Sequence, residues 1–320
     1  MTNTTSLLTP IPIDPLQGQP IMKAALCLRV KIRTLNIERT VRDAAYQVDG
    51  TDKEMTRLVK DIVDRKDLRY IQRNNSRIDA TLNRLALPAP FQRGWWLIPR
   101  ELVTEVVKEL DRLIGERLKL VEELKINYLK ICESARERLG PIWRASDYPS
   151  LEALDAIFSI QYRFMSFAVP GTLADISTDI LAKEQQKAYA EAQSALAEIM
   201  VGFRSGMLDL IVRTTEALKP GKDGKAKGFH ESTVANLLTF LRLFEAKNSV
   251  VQDPELPRLA EAARKLLSGG NAASVTASLK QNASLRDQVR TGLQGIGDEL
   301  TKLTITKPSI NLQFLGDLEA

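Results

Sequence analysis

The feature that most limits how this chain can fold is an apolar repeat, spaced about 3.5 residues apart, that begins just after Pro99. From Val103, alternating fours and threes lead through Val107, Leu110, Ile114, Arg117, Val121, Leu124, Tyr128, Ile131, Ala135 and Arg138. Only the two arginines resist burial. A seam of this period runs along one side of a helix that packs on another element, and roughly forty residues at about 1.5 Å each give ~60 Å of helix. Pro99 suits a first turn, and Gly140-Pro141 stops the helix.

A second helical pattern of similar length runs from Leu173 to Leu218. Its later half repeats the spacing through Leu196, Met200, Phe203, Met207, Leu210, Thr214 and Ala217, whereas "AKEQQKAYAEAQ" before it is polar on nearly every side. Two long helices of one period predict an antiparallel coiled-coil hairpin, an arm over residues 99–218. Between them, "SLEALDAIF" reads as a short helix. "SIQYRFMSFAVP", with Ile160, Tyr162 and Phe164 alternating, reads as a strand-like, packed apolar insert.

The rest supplies a body. "ALCLRVKIRTL" sets Leu26, Leu28, Val30 and Ile32 against Cys27, Arg29, Lys31 and Arg33, the alternation of a half-buried strand. "LTITKPSINLQFL" alternates through Leu303, Ile305, Ile310, Leu312 and Phe314, so the two chain ends are expected to pair in a small sheet; neither strand is stable alone. Residues 36–87 read as short helices, with Met55, Leu58, Val59 and Ile62 on one and Leu68, Ile71, Ile78, Leu82 and Leu85 on another. "LPAPFQRGWWLIPREL" is extended, because its prolines and glycine interrupt a helix. Later helices carry Val234, Leu237, Leu238, Leu241 and Phe244, then a segment capped by Asp253, then Leu285, Val289, Leu293, Ile296 and Leu300. The expected class is mainly α: an elongated helical protein with the hairpin arm at 99–218, a helical body carrying a small β-sheet from 22–98 and 219–320, and a flexible N-terminal arm at 1–21.

Composition narrows the chemistry. Charged residues are 27% and the hydrophobic set 44% of 320 residues, the balance of a soluble folded protein, and no run is apolar enough to span a membrane. The N-terminus has no basic start followed by an apolar stretch, so it does not read as a signal peptide. Cys27 and Cys132 provide no disulfide framework and no zinc spacing, which suits a reducing cytoplasm. Residues 1–100 hold 17 Lys and Arg against 10 Asp and Glu, while residues 101–320 hold 28 against 30. That asymmetry admits nucleic acid through Arg29, Lys31 and Arg33, although cations on an exposed strand also guard its edge against aggregation.

Motifs for catalysis are scarce. "KPGKDGKAKGFHEST" resembles a phosphate loop only in composition: Gly224-Lys225 is followed by Ala226, and Gly221 is too close for a nucleotide loop. Its residues suit a joint, with Pro220 and Gly221 ending one helix and Glu231 or Ser232 capping the next. Lys222, Lys225 and Lys227 are candidates for a partner contact. His230 is the chain's only histidine, and the carboxylates are scattered, so no catalytic residue, metal site or cofactor is expected and the chain does not read as an enzyme. Trp95 and Trp96, beside Arg93 and Arg100, could stack a nucleic-acid base or anchor a protein partner; neighbours in an extended chain point opposite ways, so one ring is expected in the core and one at the surface.

Three stretches carry a resemblance: "GWWLIPRELVTEVVKELDRL", "YRFMSFAVP" and "FHESTVANLLTFLRLFEAKNSVVQDPEL". In their order over residues 22–270 the chain resembles an uncharacterised bacterial and phage domain-of-unknown-function family. The resemblance implies a neighbour and partner of two kinds, a MoxR-type AAA+ ATPase and a protein with a von Willebrand A-type domain, and it carries over no catalytic residue. The leading expectation is a non-enzymatic adaptor or scaffold that engages such an ATPase or forms a homo-oligomer. The alternatives are a nucleic-acid-binding protein and a structural phage component.

Overall fold

The computed structural model describes residues 24–41, 57–89, 94–165, 169, 171–220 and 230–305. In chain order the elements are β1 (Ala25–Ile32), β2 (Glu38–Thr40), β3 (Val59–Asp61), α1 (Arg69–Leu85), β4 (Leu87–Pro88), β5 (Trp95–Pro99), α2 (Val103–Leu139), α3 (Leu154–Ile157), β6 (Ile160–Met165), α4 (Thr178–Ala217), α5 (Glu231–Val251), α6 (Leu256–Leu266), α7 (Ala272–Gln281) and α8 (Ala283–Ile305). The class is mainly α with a small sheet, and the two long repeats are long helices, α2 and α4. One four-stranded sheet has the order β4-β5-β1-β6, and β2 pairs antiparallel with β3 in a separate ribbon.

The contacts divide the chain into two compact units. One contains Arg29–Asn83 and Thr104–Arg163, and the other Met1–Leu28, Arg84–Val103 and Phe164–Ala320. The long helices therefore fall in different units, whereas the sequence grouped both in one arm at 99–218. The reason lies in what each seam meets. On α2 the buried positions are Val106, Leu110, Leu113, Arg117, Val121, Leu124 and Tyr128. Val121, Leu124 and Tyr128 share a core with Ile62, Val63, Leu68, Ile71, Leu154 and Phe158, all of the same unit. On α4, Met200, Phe203 and Met207 instead join the core formed with α5, α6, α7 and α8, where Phe203 stacks on Phe244 at 5.6 Å between ring centres. The β4–β5 pairing, with Leu87 opposite Leu97, belongs to that second unit and contributes both residues to its core.

Several local expectations are corrected. "TDKEMTRLVKDIVD" does not form a helix in its described part: Val59 to Asp61 are a strand held by β2, with Thr40 opposite Val59 and Glu38 opposite Asp61. Ile62 and Val63 are buried but Leu58 and Val59 are exposed, so no continuous helical face exists to bury. The two chain ends do not pair through β1, because β1 already has β5 on one side and β6 on the other. Leu303 lies in the last turn of α8, and the alternating segment beyond it, the arm at 1–21 and Met55 fall outside the described residues. On β1 the alternation breaks: Cys27 is buried and Leu26 is 38% exposed.

In the second unit a polar device closes one corner. Gln252 ends α5 with φ 55°, the left-handed conformation that turns the chain, and its N–H donates to Asn248 O at 2.7 Å. The expected cap is displaced: α6 begins at Leu256 with Glu255 at the cap position and without a capping side-chain bond, while Asp253, two residues earlier, accepts at Oδ1 from the N–H groups of Glu255 (2.9 Å) and Leu256 (3.1 Å). The helix after the Lys-Gly segment begins differently from expectation. Its cap residue is His230, which makes no side-chain capping bond.

Candidate functional site

Arg93, Lys222, Lys225 and Lys227 lie outside the described residues. Trp95 and Trp96 are both half-buried: Trp95 packs against the core of the second unit, and Trp96 stands opposite Pro88 in the β4–β5 pair. Arg100 is exposed in the short turn before α2. Arg29, Lys31 and Arg33 are exposed on β1, with no ion-pair partner among the described residues. Arg33 N–H donates to Ser159 O at 2.9 Å, where the end of β1 meets the start of β6. The two strands therefore run antiparallel, and Arg163, also exposed, falls opposite Arg29.

The first unit offers a more organised surface, built on the interface of α1 and α2. Arg117, the charge inside the α2 seam, is 1% exposed and finds no carboxylate. Its Nε donates to Asn74 Oδ1 at 3.0 Å and its Nη2 to Ile71 O at 3.2 Å and to Asn75 Oδ1, while Asn74 Nδ2 donates to Leu113 O at 3.1 Å. Burial without a counter-charge lowers the guanidinium pKa to about 10. This cluster fixes how α1 lies on α2, because a shift of one helical turn would strand the guanidinium among apolar side chains.

Beside that interface runs an open groove of about 560 Å³, between the turn leading into α1 and the later half of α2. Ile71, Leu120, Leu124 and Ile131 provide its apolar lining. Lys66, Arg69, Lys130 and Arg138 surround it, against Asp67 and Glu123. Asp64 tethers the far end: it accepts from the Lys66 N–H at 3.1 Å and from Arg138 Nη1 at 2.9 Å, and those bonds hold its carboxyl at about 2. Arg69 lies 4.6 Å from the centre of the Tyr70 ring, which is half exposed. Lys130 is exposed and has no ion-pair partner among the described residues. The groove is thus apolar along its floor and cationic along its rim.

The opposite flank of α2 is also unusual. Leu118, Ile126 and Leu129 are 59%, 79% and 76% exposed. Sequence reasoning passed over them because it followed the stronger seam; the signal was the set of aliphatic residues left unused once that seam was assigned. The groove was less legible, since it joins residues 66–71 to 120–138 across the fold. The N-terminal charge excess is diluted in space: the first unit holds 23 Lys and Arg against 20 Asp and Glu, because α2, with 8 residues of each sign, packs with the basic N-terminal segment. Arg77 pairs with Glu116 of α2, and Arg138 of α2 pairs with Asp64.

Burial raises the Cys27 thiol to about 12 and also raises Cys132, the reverse of what a nucleophilic thiolate needs. Among the described residues no three His, Cys, Asp or Glu side chains are grouped to hold a metal ion, and no helix is long and apolar enough to cross a membrane. No protein-family model, no curated protein and no solved structure matches the chain.

Proposed function

We propose that the chain is a non-enzymatic adaptor whose first unit holds an acidic, amphipathic segment of a partner protein in the groove beside α2. The observation that carries this reading is the groove's composition, an apolar floor of Ile71, Leu120, Leu124 and Ile131 under a rim where Arg69 and Lys130 have no carboxylate partner among the described residues, while Asp64 pairs with Lys66 and Arg138 and Asp67 and Glu123 supply the remaining acid. Such a surface favours a helix with one aliphatic face and flanking Glu or Asp. The resemblance described above suggests an AAA+ ATPase, or the von Willebrand A-domain protein beside it, as the partner.

The test is co-purification with that ATPase and titration of the pair by calorimetry. Arg69→Glu combined with Lys130→Glu should weaken binding at least tenfold, equivalent to about 1.4 kcal/mol, while the fold stays unchanged because neither side chain is buried. Binding that is insensitive to both reversals would remove the groove from the reading.

A second reading rests on the exposed cations of β1 and β6. Arg29, Lys31, Arg33 and Arg163 form a basic strip without carboxylate partners among the described residues, and a phosphate backbone would suit it. It requires affinity for DNA or RNA that falls steeply as salt rises. No binding at low salt would end it.

A further inference from the structure

We infer that two copies of this chain pair through the outer flank of α2, antiparallel, in a two-fold dimer centred between Glu123 and Leu124. Leu118, Glu122, Lys125 and Leu129 follow one another at intervals of four, three and four, the spacing of a second seam on the helix. Leu118 and Leu129 are largely exposed, as is Ile126 at the border of this seam, and all three are more exposed than Leu58, Val59 and Leu151 of the same unit. Large aliphatics on the solvent side of a charged helix mark a surface that another element covers.

The charges select the occupant and its direction. An antiparallel two-fold at this point sets Leu118 of one copy against Leu129 of the other, and Glu122 against Lys125. Each contact occurs twice, as a two-fold interface requires. A parallel, in-register pair would instead place Glu122 against Glu122 and Lys125 against Lys125, which repels. The cation is already positioned for its part: Lys125 Nζ lies 2.8 Å from Glu122 Oε1 and 2.6 Å from Asp155 within the same copy. Glu122 keeps a side chain that is two-thirds exposed, so in the dimer it exchanges its own Lys125 for that of the other copy. The flank is distinct from the groove, so the dimer stands whether or not the adaptor reading holds.

A seam of two heptads is short, and a dissociation constant on the order of micromolar is expected. Sedimentation velocity on the full chain from about 1 to 100 μM tests this concentration range. The expected result is a monomer–dimer equilibrium that Leu129→Glu weakens at least tenfold, with an unchanged circular dichroism spectrum and thermal midpoint because the residue is a surface one. Glu122→Lys should weaken it as well, since it sets a cation against Lys125 of the other copy. A chain that stays monomeric at the highest concentration, or a dimer indifferent to Leu129→Glu or to Glu122→Lys, would overturn the proposal. All of these readouts use the protein alone, so they are independent of any partner titration.

Discussion

Each unit buries an arginine on its long helix, and the two are held by different means. Arg204 on α4 meets a carboxylate: its Nε lies 2.5 Å from Asp253 Oδ2, both side chains are almost wholly buried, and its Nη1 donates to Leu303 O at 2.8 Å, satisfying a carbonyl in the last turn of α8. Arg117 on α2 meets only amide oxygens and a backbone carbonyl. The first arrangement ties three segments with one ion pair, and losing either member leaves the other charged and alone. The second spreads the cation over neutral acceptors, none of which becomes an orphan charge if the arginine is removed. The pair therefore separates two roles of a buried charge, the anchoring of distant segments and the choice of register between neighbouring helices.

The largest effect is expected at the ion pair. Asp253→Ala strands Arg204 and removes the acceptor of the Glu255 and Leu256 N–H groups, a loss of about 3–5 kcal/mol for the broken buried pair with ~1 kcal/mol more for those bonds at the start of α6. Hydrogen exchange should show α4, α6 and α8 losing protection while α1 and α2 keep theirs; equal loss in both units would break the division between them. Arg117→Met should cost less, about 1–3 kcal/mol, because it orphans Asn74 Oδ1 but relieves the burial of a cation. Adding Asn74→Leu should recover most of that loss, as replacement of a whole polar group by apolar residues often does. If urea midpoints show Arg117→Met to be as damaging as Asp253→Ala, the amide cluster compensates the charge as fully as a carboxylate does, and the contrast collapses.

The two arginines also differ in how legible they were. Arg117 was visible in the sequence because it breaks an otherwise apolar seam. Arg204 was not, since it sits beside Phe203 rather than on the repeat through Met200, Phe203 and Met207, and its partner lies 49 residues away. Asp253 reads as a cap in the sequence, which leaves out its pairing with Arg204. The long helices, the later helix faces and the strand character of β1 and β6 follow from local periodicity, and the extended β5 follows from the prolines and glycine around it. β2 and β3 were not recoverable, because Glu-Arg-Thr has no apolar pattern and Val59 to Asp61 imitates a helix until β2 pairs with it. The groove and the outer flank of α2 fall between these cases. Their residues were in view, but which side of α2 stays uncovered depends on packing by segments remote in sequence.

A third buried cation sharpens the comparison with the smallest effect. Lys247 on α5 is 7% exposed, and burial, reinforced by the nearby charge of Arg84, lowers its ammonium pKa from 10.5 to about 8. Between those two values the unfolded chain holds a proton that the folded chain has released, so stability should rise as pH increases from about 8 to 10.5; below pH 8 both states are charged and the full penalty of burial remains. Lys247→Met should therefore flatten the rise with pH, because it removes the group that titrates over this window. Urea midpoints for both proteins across this range give the result directly. A wild-type midpoint that falls over the window, or a variant with the same slope as wild type, would mean that Lys247 keeps its proton in the fold across this range, as a guanidinium does.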